Sequence, residues 1–393
     1  MLLKATMHGR AMTKSLSLED FDRAARRRLP HPLYAYIAGA AEDNLSLGDN
    51  RTAMRSWNFV PRTLRDVSGR TMQTELFGTG YSAPIGIAPM GLSALMAFEG
   101  DNLLARAAAN AKIPMILSGT SLIPLEEVVR HVPGIWFQAY LPGEAARIEP
   151  MIDRIAAAGI ETLILTVDVC VSANRENLVR ARFSTPLRPS IRLAWDGLTH
   201  PRWLIGTLAR TFAVRGMPHF ENSSATQGAP IFARTAERDF GAREAFSWEH
   251  ARLIRKRWDG RLILKGILSA DDARIAKDMG IDGVIVSNHG GRQLDGAAAP
   301  LTVLPAIVDA VGAMPVMIDS GFRRGGDVLK AIALGARMVF IGRPFLFAAA
   351  AWGEAGAAQA ISLIKAEIDR NMALLGVSSL AGLDRSFLTR AEP

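Results

Sequence analysis

The run Ser287-Asn288-His289-Gly290-Gly291-Arg292-Gln293-Leu294-Asp295 joins a proton acceptor, His289, to an anion clamp, Arg292, across two glycines. The preceding residues, 283–286, are apolar, β-branched and bounded by glycine, which predicts a short buried strand. His289 and Arg292 then fall just past a strand's C-terminal end, where barrel and open-sheet α/β enzymes carry their chemistry. A base beside a carboxylate-binding guanidinium is what oxidation of a 2-hydroxy acid requires. The same spacing also occurs in solvated surface turns, so His-x-x-Arg by itself does not decide.

Two further stretches suit an anion. Asp319-Ser320-Gly321-Phe322-Arg323-Arg324-Gly325-Gly326-Asp327 follows an apolar strand and opens a helix, and Ile341-Gly342-Arg343-Pro344 ends the next strand. Glycines let backbone N–H groups approach a phosphate, helix N-termini attract it, and arginine binds it bidentately. The alternative is a pair of tight turns. A dinucleotide site of the Rossmann type is disfavoured, because no Gly-x-Gly-x-x-Gly follows the first strand. Gln138, Tyr140, Thr166, Asp168 and Lys265 sit at the ends of three other predicted strands. Each is ordinary alone. With His289 and Arg292 they make a polar constellation converging on one face.

The elements that must position these groups form a rhythm. Strands are predicted at 84–90, 114–118, 135–140, 162–167, 262–265, 283–286, 316–319 and 338–341. Helical patterns at 101–111, 144–158, 270–279, 302–311 and 326–334 alternate with them. Eight strands with intervening helices predict an α/β fold, a closed (β/α)8 TIM barrel, and phosphate sites on such barrels follow strands seven and eight. The whole chain, 1–393, reads as one domain: an N-terminal helical segment at 17–83, barrel at 84–168 and 259–350, and C-terminal helices at 351–393. Helices are predicted at 17–30, opened by Ser17 and closed by Leu29-Pro30, and around 33–42. After the fourth strand the rhythm breaks, and 183–258 reads as a long loop or insertion. The Arg26-Arg27-Arg28 run reads as a solvated helix end.

Composition narrows the class. Hydrophobic residues make up 49% of 393, enough for a large core. The single cysteine, Cys170, excludes an internal disulfide and a cysteine-based metal cluster, and no metal site is expected. Residues 1–16 lack the apolar core of a signal peptide, and no run of eighteen apolar residues predicts a spanning helix. The expected location is cytoplasmic, with peripheral attachment to the inner face of the membrane as an option. A net charge of +8 suits anionic partners. No nucleic-acid motif accompanies it, so acidic lipid or acidic metabolites are preferred. Within 188–215, tryptophans and aliphatics interleave with arginines, as at an interfacial helix on anionic lipid; an active-site lid or oligomer contact reads equally well.

Together these residues resemble the FMN-dependent 2-hydroxy acid oxidising family, over about 17–386. The Ser287–Asp295 run is close to the family signature, and Tyr34-Ala35-Tyr36-Ile37-Ala38-Gly39-Ala40-Ala41-Glu42-Asp43 is similar to its N-terminal element. The resemblance implies FMN as cofactor, His289 as base, and Asp168 as partner of its protonated form. It implies substrate binding by Tyr36, Tyr140, Arg175 and Arg292, and Lys265 beside the flavin pyrimidine edge. Pro89, Met90, Gly91, Ser118, Gln138, Thr166 and Ser287 would contact the flavin or ribityl chain. Asp319, Ser320, Gly321, Phe322, Arg323, Gly342 and Arg343 would form the phosphate end. Gly91 and the 168–176 stretch resemble the mandelate dehydrogenase branch, Thr120 stands where several family members carry Trp, and together they imply a pocket roomier than glycolate needs. The expected reaction converts an (S)-2-hydroxy acid, lactate- or mandelate-like, to the 2-oxo acid, with a quinone as acceptor and a homotetramer as the assembly. Alternatives are an oxygen-using oxidase, a flavoprotein acting on a peptide-bound substrate, and an IMP dehydrogenase type of barrel, for which Cys170 is misplaced.

Overall fold

A computed structural model describes residues 15–232 and 243–391. Its centre is eight parallel strands: β1 (Ile85–Ile87), β2 (Ile116–Ser118), β3 (Trp136–Ala139), β4 (Thr162–Thr166), β5 (Arg261–Ile267), β6 (Gly283–Val286), β7 (Val316–Ile318) and β8 (Met338–Ile341). Pairing runs in order from β2 to β8, and β8 pairs with β1. A parallel bridge from Ile87 to Met115 closes the ring. The architecture is the (β/α)8 barrel that the rhythm predicts, and all eight strands fall on the expected segments.

Side chains on a strand alternate between its two faces, and that alternation builds the site. One set, including Ile116, Trp136, Ile164, Ile263, Ile285 and Met317, fills the barrel interior as its own apolar cluster. The intervening residues, such as Leu163, Leu165, Val284 and Val286, pack outward against the helices. Two residues after each interior side chain comes Ser118, Gln138, Thr166, Lys265, Ser287 and Asp319 respectively. The periodicity that makes the core therefore delivers these six polar groups to the C-terminal mouth, and all six are buried there.

The N-terminal segment is helical at Leu18–Arg28, His31–Ala38 and Leu45–Arg55. It also holds short strands that sequence reasoning misses. Trp57–Phe59 pairs antiparallel with Leu388–Arg390 near the other end of the chain. Thr74–Leu76 and Thr79–Tyr81 form a hairpin whose turn, Phe77-Gly78, has positive φ at both positions. Leu76, Phe77 and Tyr81 plug the interior cluster from below, with Phe77 6.1 Å from the Trp136 ring. Three-residue strands are too short to register as alternation.

The segment 183–258 differs from its reading as a loop: it carries much helix, although residues 233–242 lie outside the described residues. Ser190 Oγ accepts from Leu193 N at 3.1 Å and starts Ile191–Leu198. Pro201–Trp203 runs through a wide π turn, Leu204–Ala209, into Arg210–Arg215, and Trp248–Arg257 leads back to the barrel. The Pro, Trp and Arg that suggested irregularity are a helix-starting proline and side chains on helix faces. The long helix Arg343–Leu375 kinks at Trp352-Gly353. No helix of the described residues is long and apolar enough to cross a membrane.

Candidate active site

At the C-terminal mouth lies a cavity of about 380 Å³. His289 enters it from just past β6 with a left-handed backbone, φ 56°. The turn is fixed from beneath, since His289 N donates to Ser287 Oγ at 3.0 Å and Gly290 N donates to Ser320 Oγ at 2.9 Å. Gly291 must be glycine: its φ is 75° and an added Cβ would stand 2.7 Å from Leu47 N. That close approach comes from helix Leu45–Arg55, whose first turn is capped by Asp295, the last residue of the same motif. Its two carboxylate oxygens accept from Leu45 N at 3.1 Å and Ser46 N at 2.9 Å. Asn50 and Asn288 exchange two buried amide hydrogen bonds, at 2.9 and 2.8 Å.

His289 Nδ1–H donates to both Asp168 oxygens, at 3.0 and 3.2 Å. That bond fixes the tautomer and leaves Nε2 as the acceptor facing Tyr140 Oη, 3.4 Å away. Burial pushes the imidazole below its ordinary value of 6.5, with Asp168 opposing and Lys265 assisting that shift. Burial works against the Asp168 carboxylate, yet His289 and Lys265 outweigh it and hold its pKa below the usual range. The site thus contains a neutral base with a fixed anion behind it.

Lys265 Nζ, 4% exposed, bonds Asp319 Oδ2 at 3.0 Å and Ser287 Oγ at 2.9 Å. Asp319 and Asp168 outweigh its burial and keep it cationic. Ser118, Gln138, Thr166 and Ser287 do not line the cavity; they are buried against residues that do. Gln138 Nε2 and Thr166 Oγ1 have no hydrogen-bond partner. Two orphaned polar atoms at a barrel mouth suit a ligand, because an unmet buried donor costs roughly 1–3 kcal/mol.

The guanidinium groups divide between two ends. Arg175 donates to Arg292 O at 2.9 Å and Gln293 Oε1 at 2.6 Å, which ties it to the motif loop. Arg292 lies 4.8 Å over the Tyr36 ring and donates to Tyr36 O. Arg343 donates to the carbonyls of Ile37 and Gly39, at 2.9 and 3.0 Å. It shares Gly39 O with Arg292 and so lies between the two groups of arginines. Arg323, pushed down to about 10 by burial and by Arg51, donates to Phe322 O. Desolvation and the neighbouring Arg292 and Arg323 push Arg343 well below its usual value. No carboxylate pairs with Arg323 or Arg343 among the described residues, so this cluster calls for an anion.

These features fit FMN: orphaned hydrogen-bonding atoms on β3 and β4, a buried cation on β5, an apolar wall at Pro89 and Met90, and unpaired arginines after β7 and β8. Gly91 belongs to that wall, where an added Cβ would meet Thr120 Oγ1 at 2.1 Å. Sequence reasoning misses three contributors. Arg243 lies 4.7 Å over the Tyr140 ring, Phe183 packs on Tyr36 at 4.8 Å, and Gln293 Nε2 donates to Asp168 O at 3.3 Å. The first two come from the segment read as a loop, where no periodic signal marks them. Cys170 is exposed and does not line the cavity.

The model of the FMN-dependent dehydrogenase family matches residues 25–390. The chain is 40% identical to the (S)-mandelate dehydrogenase of Pseudomonas putida, over 95% of this chain and 93% of that one. It is 38% identical to an L-lactate dehydrogenase of Pseudomonas entomophila, over 94% and 97%. A solved structure of the monotopic membrane protein (S)-mandelate dehydrogenase superposes with a TM-score of 0.86 at 38% identity, covering 96% of this chain and all of that one. The fold, the donor set and the extent of these matches agree, and the chain belongs to the FMN-dependent dehydrogenase family of oxidoreductases.

Proposed function

We propose that the protein oxidises an (S)-2-hydroxy acid to the 2-oxo acid and delivers the electron pair to a quinone-type carrier at an anionic membrane surface. The observation that carries this reading is the His289–Asp168 pair, with Nε2 turned toward Tyr140 inside a cavity edged by Arg175 and Arg292.

In this reading Arg175 and Arg292 hold the substrate carboxylate, and the hydroxyls of Tyr36 and Tyr140 orient it. Opposite-charge fixation makes the approach effectively unimolecular. His289 Nε2 accepts a proton from the hydroxy acid, and Asp168 stabilises the imidazolium that forms. Bound FMN supplies the two-electron acceptor chemistry. Lys265, held ionised by Asp319 and Asp168, places a positive charge where negative charge accumulates. Gln138 Nε2 and Thr166 Oγ1 would supply hydrogen bonds to FMN, and Arg323 with Arg343 would counter its phosphate charge.

Val169, Val171, Leu178 and Val179 form an apolar collar on the cavity, which favours an acid with a hydrophobic substituent, lactate- or mandelate-like, over glycolate. The membrane reading is supported by exposed Ile191, Trp195, Leu198 and Ile205 among Arg192, Arg202 and Arg210. A homotetramer is the assembly that goes with it. Anaerobic bleaching of the flavin across mandelate, lactate, glycolate and longer 2-hydroxy acids tests the substrate class: an enzyme bleached by none of them overturns the reading. Flotation with anionic liposomes, with and without 188–215, tests the membrane part.

A further inference from the structure

A second cavity, of about 270 Å³, lies behind the first and shares a wall with it. The wall is two hydrogen-bonded segments, with Leu92 N donating to Thr120 O at 3.3 Å. Met90, Gly91 and Thr120 face the first cavity, while Ala94, Leu95 and Leu122 face the second. The opposite wall is Thr207, Leu208, Thr211, Val214, Arg215 and Met217, from the helical insertion. Trp203 Nε1 pins that insertion to the shared wall by donating to Leu95 O at 2.8 Å.

The lining is unlike that of the first cavity. Glu99, Glu127 and Glu221 surround one cation, Arg215. Arg215 bonds Glu99 and Glu127, both at 2.9 Å, yet its buried Nε has no partner. Arg215 also holds Glu127 ionised, down to about 2. An excess of carboxylates repels a hydroxy acid or an oxo acid. Apolar walls with an unmet N–H donor suit a neutral ring bearing carbonyl oxygens. The rim is apolar and open, with Val214 63% and Met217 42% exposed. The volume lies just under the roughly 300–1,000 Å³ typical of small-molecule sites, which suits a ring headgroup with its tail left outside.

We propose that this second cavity is the docking site of the electron acceptor, a quinone headgroup entering from the membrane side, separate from the hydroxy acid site. The inference rests on the quinone-dependent reading given above. The overall exchange balances: hydroxy acid plus quinone gives oxo acid plus quinol. The C2–H and O–H bonds of the acid break, its C–O bond becomes a carbonyl, and two O–H bonds form on the reduced ring. The electron pair crosses the shared wall; the two protons that the acid gives up leave to solvent, one of them by way of His289, and two protons from water complete the quinol. Substrate and acceptor then bind at once rather than in turn.

The test uses oxidised holoenzyme in detergent and a short-chain azidoquinone, photolysed without hydroxy acid and mapped by mass spectrometry. Label is expected on 207–218 or 94–99, undiminished by saturating mandelate. Leu208→Trp fills the cavity, and Val214→Trp narrows its exposed mouth without touching the core. Both should lower labelling and slow reoxidation by quinone about tenfold. Flavin bleaching by hydroxy acid and reoxidation by a water-soluble dye should stay within about twofold, as for independent sites. Label on 169–179 that hydroxy acid displaces, or tryptophan variants with wild-type quinone rates, would overturn the proposal. Label at 207–218 in an enzyme that no hydroxy acid bleaches would support this site and overturn the substrate reading instead.

Discussion

Two cavities back onto one wall, and they are opposite in charge. The first is lined by Arg175, Arg243, Arg292, Arg323, Arg343 and Lys265, with Asp319 as its lining carboxylate; the second sets three glutamates against Arg215. The first is built by strand ends, whose side chains are placed by a rigid barrel. The second is built half by the barrel and half by the inserted helices at 201–215. Precise positioning of small anions and protons needs the first arrangement. Admission of a bulky apolar ligand is better served by the second, whose outer wall carries exposed Val214 and Met217. Electrostatics then sorts the two ligands before any specific contact is made.

The comparison breaks most sharply at His289. His289→Ala should slow bleaching by hydroxy acid by about 10²- to 10⁴-fold. FMN content and azidoquinone labelling should be unchanged. A variant that bleaches at the wild-type rate would remove the base from the first cavity. Arg292→Lys comes next. A point charge cannot reproduce the fork, so apparent substrate affinity should fall by about 1.5–3 kcal/mol, seen as a raised KM more than a lowered limiting rate. Equal loss in both parameters would mean that Arg292 acts in the reaction step rather than in holding the acid.

The pH profile sharpens the same contrast. The base works unprotonated, and burial places the His289 pKa below 6.5. Bleaching at low substrate should therefore rise with pH, with the midpoint of the rise below pH 6.5. Val214→Trp should leave that curve in place, whereas Asp168→Asn, by removing the charge that favours the imidazolium, should move its acid limb lower still. The smallest effect concerns the far side of the catalytic motif. Asp295→Ala removes the cap of helix Leu45–Arg55 and should cost about 1 kcal/mol of stability, read as a lower Tm, with bleaching little changed.

Much of this was legible beforehand, for an identifiable reason. Strand alternation is a local rule. Once Ile116, Trp136, Ile164, Ile263 and Ile285 are read as interior, Ser118, Gln138, Thr166, Lys265 and Ser287 must reach the mouth two residues later. What escaped lies where no local rule operates. The Phe77-Gly78 hairpin depends on an interior cluster that needs a plug. Arg243 and Phe183 meet Tyr140 and Tyr36 only because the insertion folds back over the barrel. The helices within 183–258 were hidden because their apolar residues face outward as well as inward.

By itself the sequence determined the barrel, the position of the chemistry on one face of it, and the chemical types gathered there. Each follows from side-chain periodicity and from residue types that act over a few positions. The tertiary structure alone decided that His289 finds Asp168, that Arg343 shares Gly39 O with Arg292, and that Asp295 caps a helix 249 residues away at Ser46. It also decided that neighbouring residues of the same two segments, 90–95 and 120–122, line a cationic cavity and an acidic one. Such pairings are set by how eight strands close and where an insertion lands, and no spacing along the chain encodes them.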